Sequence, residues 1–173
     1  MKIIDLSKEI YSGMPIYPGD PEVVIKPIET KEDWQVSQLT LGTHTGTHTD
    51  AFTHMIKGAA SIDQIDLKQF MGPAQLVRQN DANFPEDIGL LFDESVDESV
   101  LERILASKPP FVAGDLSEGM ERALLSHRIV TITDLINLDQ LPYGQTFLFI
   151  GLPLKINGGD GSPVRAVAVI DIL

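Results

Sequence analysis

Side chains that commonly bind divalent metals are concentrated in one short stretch of the chain. Three of the four histidines lie there with one carboxylate between them, in the order His44, His48, Asp50 and His54. Imidazole and carboxylate groups are ligands for zinc and similar ions. Structural zinc is usually closed by four ligands, often Cys, and the chain has no Cys. The pattern therefore predicts a metal on three protein ligands, with a position left open for water.

The spacing of these residues indicates how the backbone must run. In a helix His44 and His48 would share a face, but Asp50, at about 100° per residue, would point away. Thr and Gly, which are poor helix formers, are frequent here. A straight strand puts all three on one side but separates the histidines by roughly 13 Å, too far for bonds of about 2.0 Å. We therefore expect a strand that ends in a loop bent at Gly46, where glycine permits unusual backbone angles.

The run from His44 to Asp50, followed by His54, resembles the signature of the metal-dependent cyclase/hydrolase family, which includes kynurenine formamidase (arylformamidase) and isatin hydrolase. Three further stretches resemble family landmarks in the same order: 15–20, 137–142 and 159–166. The resemblance implies a swivelling β/α/β fold, a homodimer or larger homo-oligomer, and hydrolysis of a C–N bond in a small amide.

The resemblance also implies roles for individual residues. A divalent metal, zinc or manganese, would be held by His44, His48 and Asp50 and would activate a water molecule. His54 would be the acid/base, although its chemistry also permits it to be a further ligand. In the family an aromatic residue before the Pro-Gly-Asp turn lines the substrate pocket, which makes Tyr17 the candidate. A loop aromatic that covers the core explains Tyr17 equally well.

The chain departs from the family at the second metal site. Relatives with two metals use a late histidine and a glutamate twelve residues apart, and this chain has Glu121 and Thr133 there. Threonine is a poor ligand, so we expect one ion per chain, with Glu121 reaching it or orienting its water. Alternatively, Glu121 is a solvated residue on a helix or the partner in an ion pair. His127 would lie on the opposite helix face.

Three functions fit these residues. The first is an arylformamidase-like hydrolase that attacks a small amide with a metal-activated water. The second is a cyclase or lyase that uses the same metal without net hydrolysis. The third is a metal-binding protein that has lost catalysis. The stretch between Ala74 and Ser117 is shorter than in typical relatives, where it forms part of the pocket, so the resemblance does not identify the substrate.

Composition excludes several partners. The formal net charge of −12 over 173 residues repels nucleic acids and anionic lipid surfaces. No apolar run is long enough to span a membrane, and charges near the N-terminus do not match a signal peptide. The lack of Cys fits a cytoplasmic protein. These features leave a small molecule as the expected partner.

Hydrophobic patterns predict one α/β domain over residues 1–173, with a mixed sheet and packed helices. Strands are expected at 2–6, 23–28, 34–41, 74–77, 111–113, 128–133, 146–156 and 164–172. Helices are expected at 61–72, 96–106 and 117–127, the last capped by Ser117. The acidic stretch 80–95 is expected to be irregular, and 158–162 to be a tight turn. Near this turn, Asp160 and Arg165 either lean towards the metal site or form an ion pair.

Overall fold

Four parallel strands form the centre of a nine-stranded mixed sheet. The structure, a computed structural model, describes residues 1–31 and 34–171. The central strands are β5 (Met71–Val77), β6 (Gly89–Val96), β7 (Phe111–Leu116) and β8 (Val130–Thr133), each parallel to the next. They are rich in Val, Leu, Ile and Phe, as expected for strands that are covered on both faces. The expected α/β class with a mixed sheet is confirmed.

Antiparallel strands extend this centre on both sides. On one side lie β9 (Thr146–Ile150), β11 (Val167–Ile170) and β1 (Lys2–Asp5). On the other side β4 (His48–Asp50) pairs with β8, and β10 (Gly161–Pro163) pairs with β4. Strand β4 therefore lies between two neighbours, and both can place side chains beside His48 and Asp50.

Alternation along the central strands divides the core between the two faces of the sheet. On one face Phe92 and Val112 pack with the helices α1 (Leu101–Ser107) and α2 (Glu118–Ser126). Helix α2 begins as predicted, because the Ser117 side chain accepts a hydrogen bond from the Met120 N–H at 3.1 Å. The opposite face is covered by a second apolar cluster, whose largest members are Phe70, Phe111 and Phe149.

The remaining regular structure consists of short elements. Strands β2 (Val24–Ile28) and β3 (Val36–Thr40) pair with each other and form a separate two-stranded ribbon. Single turns of 3-10 helix lie at Phe52–His54, Ile62–Gln64, Leu67–Gln69, Glu98–Val100 and Leu138–Gln140. Within residues 1–31 and 34–171, none of the helical segments has the length and apolar character of a membrane span.

Several sequence-based boundaries are corrected by the structure. The irregular stretch expected at 80–95 is wrong from Gly89 onward, because strand β6 occupies the sheet centre despite its acidic residues Asp93 and Glu94. The helix expected at 61–72 is two 3-10 turns, and the one at 96–106 is a 3-10 turn followed by α1. The strand expected at 146–156 ends at Ile150. The strand expected at 164–172 covers only Val167–Ile170, and position 172 lies outside the described residues.

Candidate metal centre and active site

A bend in the backbone brings the two expected histidine ligands towards the same carboxylate. Gly46 has a φ of 61°, a left-handed conformation that glycine adopts without strain, so the predicted bend is present. The residues that follow it form β4. His44 Nδ1 lies 2.8 Å from Asp50 Oδ1, and His48 Nε2 lies 3.6 Å from the same oxygen. The bend therefore replaces the long separation that a straight strand would impose.

The hydrogen bonds of His48 determine which of its nitrogens is free. Its Nδ1 lies 2.7 Å from the carbonyl oxygen of Gly46, which can only accept, so Nδ1 carries the hydrogen. In the neutral ring the lone pair is then on Nε2, the atom that faces Asp50. A backbone carbonyl that fixes the tautomer of a metal-binding histidine in this way is a common arrangement. The Thr133 hydroxyl lies 3.2 Å from the same Nε2.

Asp50 supplies a buried negative charge to the site. The residue is only 2% exposed, and its Oδ2 accepts a hydrogen bond from the Thr131 hydroxyl at 2.8 Å. Burial alone would raise the pKa of Asp50, but the hydrogen bond from His44 and the charges of His48 and His44 hold the pKa below its usual range. An ionised carboxylate in this position requires nearby positive charge, which either a protonated His44 or a bound cation can supply.

His44 lies between two carboxylates. Besides its contact with Asp50, its Nε2 lies 3.1 Å from Asp160 Oδ2. Burial by itself lowers the pKa of His44, but the hydrogen bonds and charges of Asp50 and Asp160 outweigh this and raise the pKa to about 9. Burial would raise the pKa of Asp160, but hydrogen bonds from His44 and Thr43 hold it at about 2. Without a metal, His44 is therefore an imidazolium at neutral pH.

His54 reaches the same cluster from the 3-10 turn that follows β4. Its ring centroid lies 4.0 Å from that of His44, and its Nδ1 lies 3.6 Å from Asp160 Oδ2. The His54 ring is partly open to solvent, with a side-chain exposure of 31%. Water and substrate can therefore reach the ring while it lies next to the candidate ligands, as a general acid or base requires.

The residues at this site fit a divalent metal ion. Two groups of three ligand atoms lie within 4.8 Å of one another: His44, His48 and Asp50, and His44, His54 and Asp160. Tetrahedral bonds of about 2.0 Å place ligand atoms roughly 3.3 Å apart. The separations of 2.8 and 3.6 Å in the first group lie on either side of that value. The nitrogen and oxygen donors suit zinc or manganese, and His44 is common to both groups.

A cavity of about 1050 Å³ opens onto these ligands. Tyr17 and Glu121, both candidates from the sequence, line it as well, and Tyr17 is 75% exposed. Glu121 belongs to neither ligand group. Burial, followed by the charge of Asp50, raises the pKa of Glu121 to about 7, so this carboxyl can hold a proton near neutral pH. His127 is outside the cavity lining, and its Nδ1 lies 2.8 Å from the carbonyl oxygen of Ala123.

The sequence left Asp160 open between the metal site and an ion pair, and the structure places it beside His44. Strand β10 pairs with β4 so that Gly161 lies opposite Asp50, and the Ala51 N–H donates to the Asp160 carbonyl at 2.8 Å. Arg165 instead forms an ion pair with Asp5, with its Nη2 2.6 Å from Asp5 Oδ2. The two residues near the turn thus have different partners. The glycine that follows Asp160 permits this approach, because a Cβ on Gly161 would lie 2.7 Å from His44 Cε1.

Known proteins of this architecture share both sequence and fold with the chain. The sequence profile of the family described as "Putative cyclase" matches residues 4–109. A kynurenine formamidase of Salinibacter ruber is 30% identical over 207 aligned positions, which cover 96% of this chain and 97% of the relative. A kynurenine formamidase of Bacillus anthracis is 26% identical, with 96% of each chain covered. The alignments are longer than the 173 residues of this chain, so they include insertions in the relatives.

Solved structures give the same assignment of fold. An isatin hydrolase A from Labrenzia aggregata, bound to benzyl benzoate, has a TM-score of 0.82 at 20% identity and covers 96% of this chain and 93% of its own. A structure described as a potential metal-dependent hydrolase with cyclase activity has a TM-score of 0.76 at 26% identity, with 96% of each chain covered. The curled mixed sheet with few helices is therefore a known architecture.

Proposed function

The chain belongs to the cyclase family, and from this membership we propose that it hydrolyses a small aryl formamide to formate and an arylamine. Its relatives and its His/Asp ligand group together support a metal-dependent amide hydrolase. The choice of a formamide as the amide substrate is a more specific proposal, and it is supported by relatives that are kynurenine formamidases. The observation that carries it is the placement of His54, with its ring 4.0 Å from that of the ligand His44 and open to the cavity.

A divalent ion, zinc or manganese, would be held by His44, His48 and Asp50. When bound, such an ion makes a neighbouring water more acidic and polarises the carbonyl oxygen of the substrate. The chain itself orients the ligands: the Gly46 carbonyl fixes the His48 ring, and the Thr131 hydroxyl fixes Asp50. These contacts hold the ligand atoms ready before the ion arrives.

His54 is proposed to move the proton during hydrolysis. The water oxygen forms a bond to the carbonyl carbon, and the C–N bond breaks. His54 accepts a proton from the water and delivers it to the leaving nitrogen, so the products are formic acid, ionised at neutral pH, and a neutral amine. Asp160, with its Oδ2 3.6 Å from His54 Nδ1, is positioned to orient the ring for both transfers.

One ion per chain is proposed in place of two. Thr133 occupies the position of the expected glutamate ligand and directs its hydroxyl to His48 Nε2 at 3.2 Å. Glu121 lines the cavity without belonging to a ligand group. We assign Glu121 to orienting the attacking water, which a carboxyl that can hold a proton near neutral pH can do as donor or acceptor.

The aromatic part of the substrate is proposed to contact Tyr17. This residue lines the cavity in the turn before Pro18 and Gly19, and most of its surface is open. Aromatic rings gain from offset or edge-to-face contact, and an exposed tyrosine on a cavity wall offers one face for it. Tyr17→Ala is therefore expected to raise KM more than it lowers kcat.

The protein is also proposed to form a homo-oligomer, either a dimer or a tetramer. The β2–β3 ribbon stands apart from the main sheet and exposes large apolar side chains, among them Leu39 at 61% and the neighbouring Trp34 at 69%. A two-stranded ribbon alone is at best marginally stable in water, and a second copy would cover it. Light scattering on the purified protein measures the assembly. A cytoplasmic location stays a prediction of the sequence.

The experiment starts from elemental analysis of the purified protein. The protein is then loaded with zinc or manganese and incubated with formanilide, and the released formate is measured. In ¹⁸O-labelled water, hydrolysis puts the label into formate. We expect about one ion per chain and labelled formate in the wild type. His54→Ala is expected to retain the ion and lose turnover.

Two outcomes would contradict the proposal. Consumption of substrate without label in the product would indicate a cyclase or lyase. Absence of turnover with fully loaded protein, over a panel of formamides and other small amides, would indicate a metal-binding protein without this catalysis. His127→Ala is a suitable control variant, because this histidine is exposed and lies outside the cavity lining.

A further inference from the structure

Acidic side chains outnumber basic ones around the cavity. Apart from the histidines, Lys8 and Arg122 are the two cationic side chains that line it among the described residues. Six lining residues other than the ligand Asp50 carry a carboxyl group: Asp20, Asp93, Asp115, Glu118, Glu121 and Asp134. A cleft lined by one sign of charge concentrates ligands of the opposite sign. The cavity therefore has a charge preference of its own, beyond the metal ligands.

Both lining cations are already paired with lining carboxylates. Lys8 Nζ lies 2.6 Å from Asp134 Oδ1, and Arg122 Nη2 lies 3.5 Å from Glu118 Oε1. Arg122 also donates to the Met55 carbonyl at 3.4 Å. Binding of an anionic substrate group by either cation would have to break an existing ion pair. An anionic substrate group would therefore compete with a lining carboxylate for either cation.

Three lining carboxyl groups have no cationic partner in residues 1–31 and 34–171: Asp20, Asp115 and Glu121, the last of which has a pKa of about 7 and is only partly ionised at neutral pH. Asp115 accepts a hydrogen bond from the neutral Ser95 hydroxyl, which leaves its charge uncompensated. Burial and then the charge of Asp50 raise the pKa of Glu121, the charge of His44 lowers it, and the charges of Glu118 and Asp115 raise it further. A divalent ion, partly neutralised by Asp50, does not offset the remaining carboxylates.

We propose that the cavity selects amide substrates that carry a positively charged amine away from the scissile bond, and rejects those that carry an anionic group there. This inference rests on the proposed function, because it names the charge of the substrate for the same site. The ammonium group would lie in the negative potential near Asp115, while the amide carbonyl lies at the metal ligands. A neutral arylamide would bind without this gain, and an anion would meet repulsion from the carboxylates and would have to compete with them for the two lining cations.

The test uses three formanilides that differ only in the para substituent: –CH₂NH₃⁺, –CH₂OH and –CH₂SO₃⁻. The methylene group separates the charge from the ring electronically, and sulfonate is a weak metal ligand. With zinc-loaded protein at low salt, we expect kcat/KM for the ammonium compound to exceed that for the alcohol by roughly tenfold or more. The sulfonate should be slower than the alcohol. These differences should shrink at about 0.5 M salt, where charges are screened within a few ångströms.

A matched pair of variants assigns the effect to the cavity. Asp115→Asn removes one uncompensated charge with almost no change in shape, and is expected to reduce the ammonium preference roughly threefold or more. Glu102→Gln removes one charge from an exposed position on α1, outside the cavity lining, and should leave the preference unchanged. Equal losses in both variants would attribute the preference to net charge alone and overturn the proposal.

The outcomes separate this inference from the proposed function. Turnover of all three compounds at similar kcat/KM would overturn the charge selection and leave amide hydrolysis standing. If none is hydrolysed, the charge preference can still be measured from binding alone. The zinc-loaded protein is titrated with benzylammonium and with benzyl alcohol, and NMR gives the affinity for each. Tighter binding of benzylammonium at low salt, reduced by Asp115→Asn, would support the selection. Equal binding of the two would overturn it.

Discussion

Metal binding at this site has to displace a proton from His44 at neutral pH. The pKa of His44 is about 9 in the metal-free protein because it lies between Asp50 and Asp160. An imidazolium has no lone pair for a metal, so ion binding and proton binding compete. At pH 7, two units below that pKa, about 1% of the rings are deprotonated, and the apparent metal affinity is roughly 100-fold below its high-pH limit.

A competition titration measures this effect directly. Metal-free protein is titrated with zinc against a chromophoric chelator at several values between pH 6.5 and pH 9.5, with the chelator's own pH dependence subtracted. We expect log K to rise by about one per pH unit up to pH 9 and then to level off. Calorimetry in buffers of different ionisation enthalpy should detect about one proton released by His44 per ion at pH 7.5.

Asp160→Asn provides the control for this reasoning. The substitution removes one of the two carboxylates that raise the pKa of His44, while Asp50 and the other ligands remain. The pH at which log K levels off should therefore move down. An affinity that is constant between pH 7 and pH 9 in the wild type, with no proton release, would refute the claim that His44 both carries this proton and binds the ion.

Further predictions concern the same residues and the frame that holds them. His54→Ala should keep the metal-to-chain ratio and lower kcat by roughly 100-fold or more; a fall in metal content would make His54 a ligand. Gly161→Ala should lose metal, because its Cβ would lie 2.7 Å from His44 Cε1 and 2.9 Å from the Thr49 carbonyl oxygen; an unchanged ratio would contradict the close packing. Ser117→Ala should lower the free energy of unfolding in urea by about 1 kcal/mol through loss of the α2 cap, with Ser126→Ala as an exposed control. The metal-free protein should lose stability in thermal melts as pH rises from about 6.5 through 9, because the raised pKa of His44 stabilises the fold only while the ring is protonated.

The cluster of candidate metal ligands was predictable because its members are local in sequence. His44, His48 and Asp50 lie within seven residues, and the reach of a bent strand could be worked out from covalent dimensions. The cap at Ser117 was predictable for the same reason, since an N-cap bonds within its own first turn. In each case the interaction that determines the geometry joins residues a few positions apart.

The remainder of the site depends on pairings between distant parts of the chain. Asp160 and His44 are 116 positions apart in the sequence and come into contact because β10 pairs with β4. Nothing in the turn sequence alone specifies the register of that pairing. Strand β6 was missed for a related reason. Its sequence includes Asp93 and Glu94, and only its place between β5 and β7 makes it a central strand. Burial by neighbouring strands overrides a local acidic pattern.

The number of metal ions and the charge of the substrate are coupled through the same cavity. A second divalent ion would add two positive charges to a cavity in which Asp20 and Asp115 have no cationic partner among the described residues, and would remove most of the attraction for an ammonium group. Thr133, in place of the expected glutamate ligand, contributes no charge to hold that ion. A single ion would therefore leave these carboxylates able to attract an ammonium group. A measured ratio of one ion per chain with a preference for cationic amides would support both, whereas two ions per chain should be accompanied by loss of that preference.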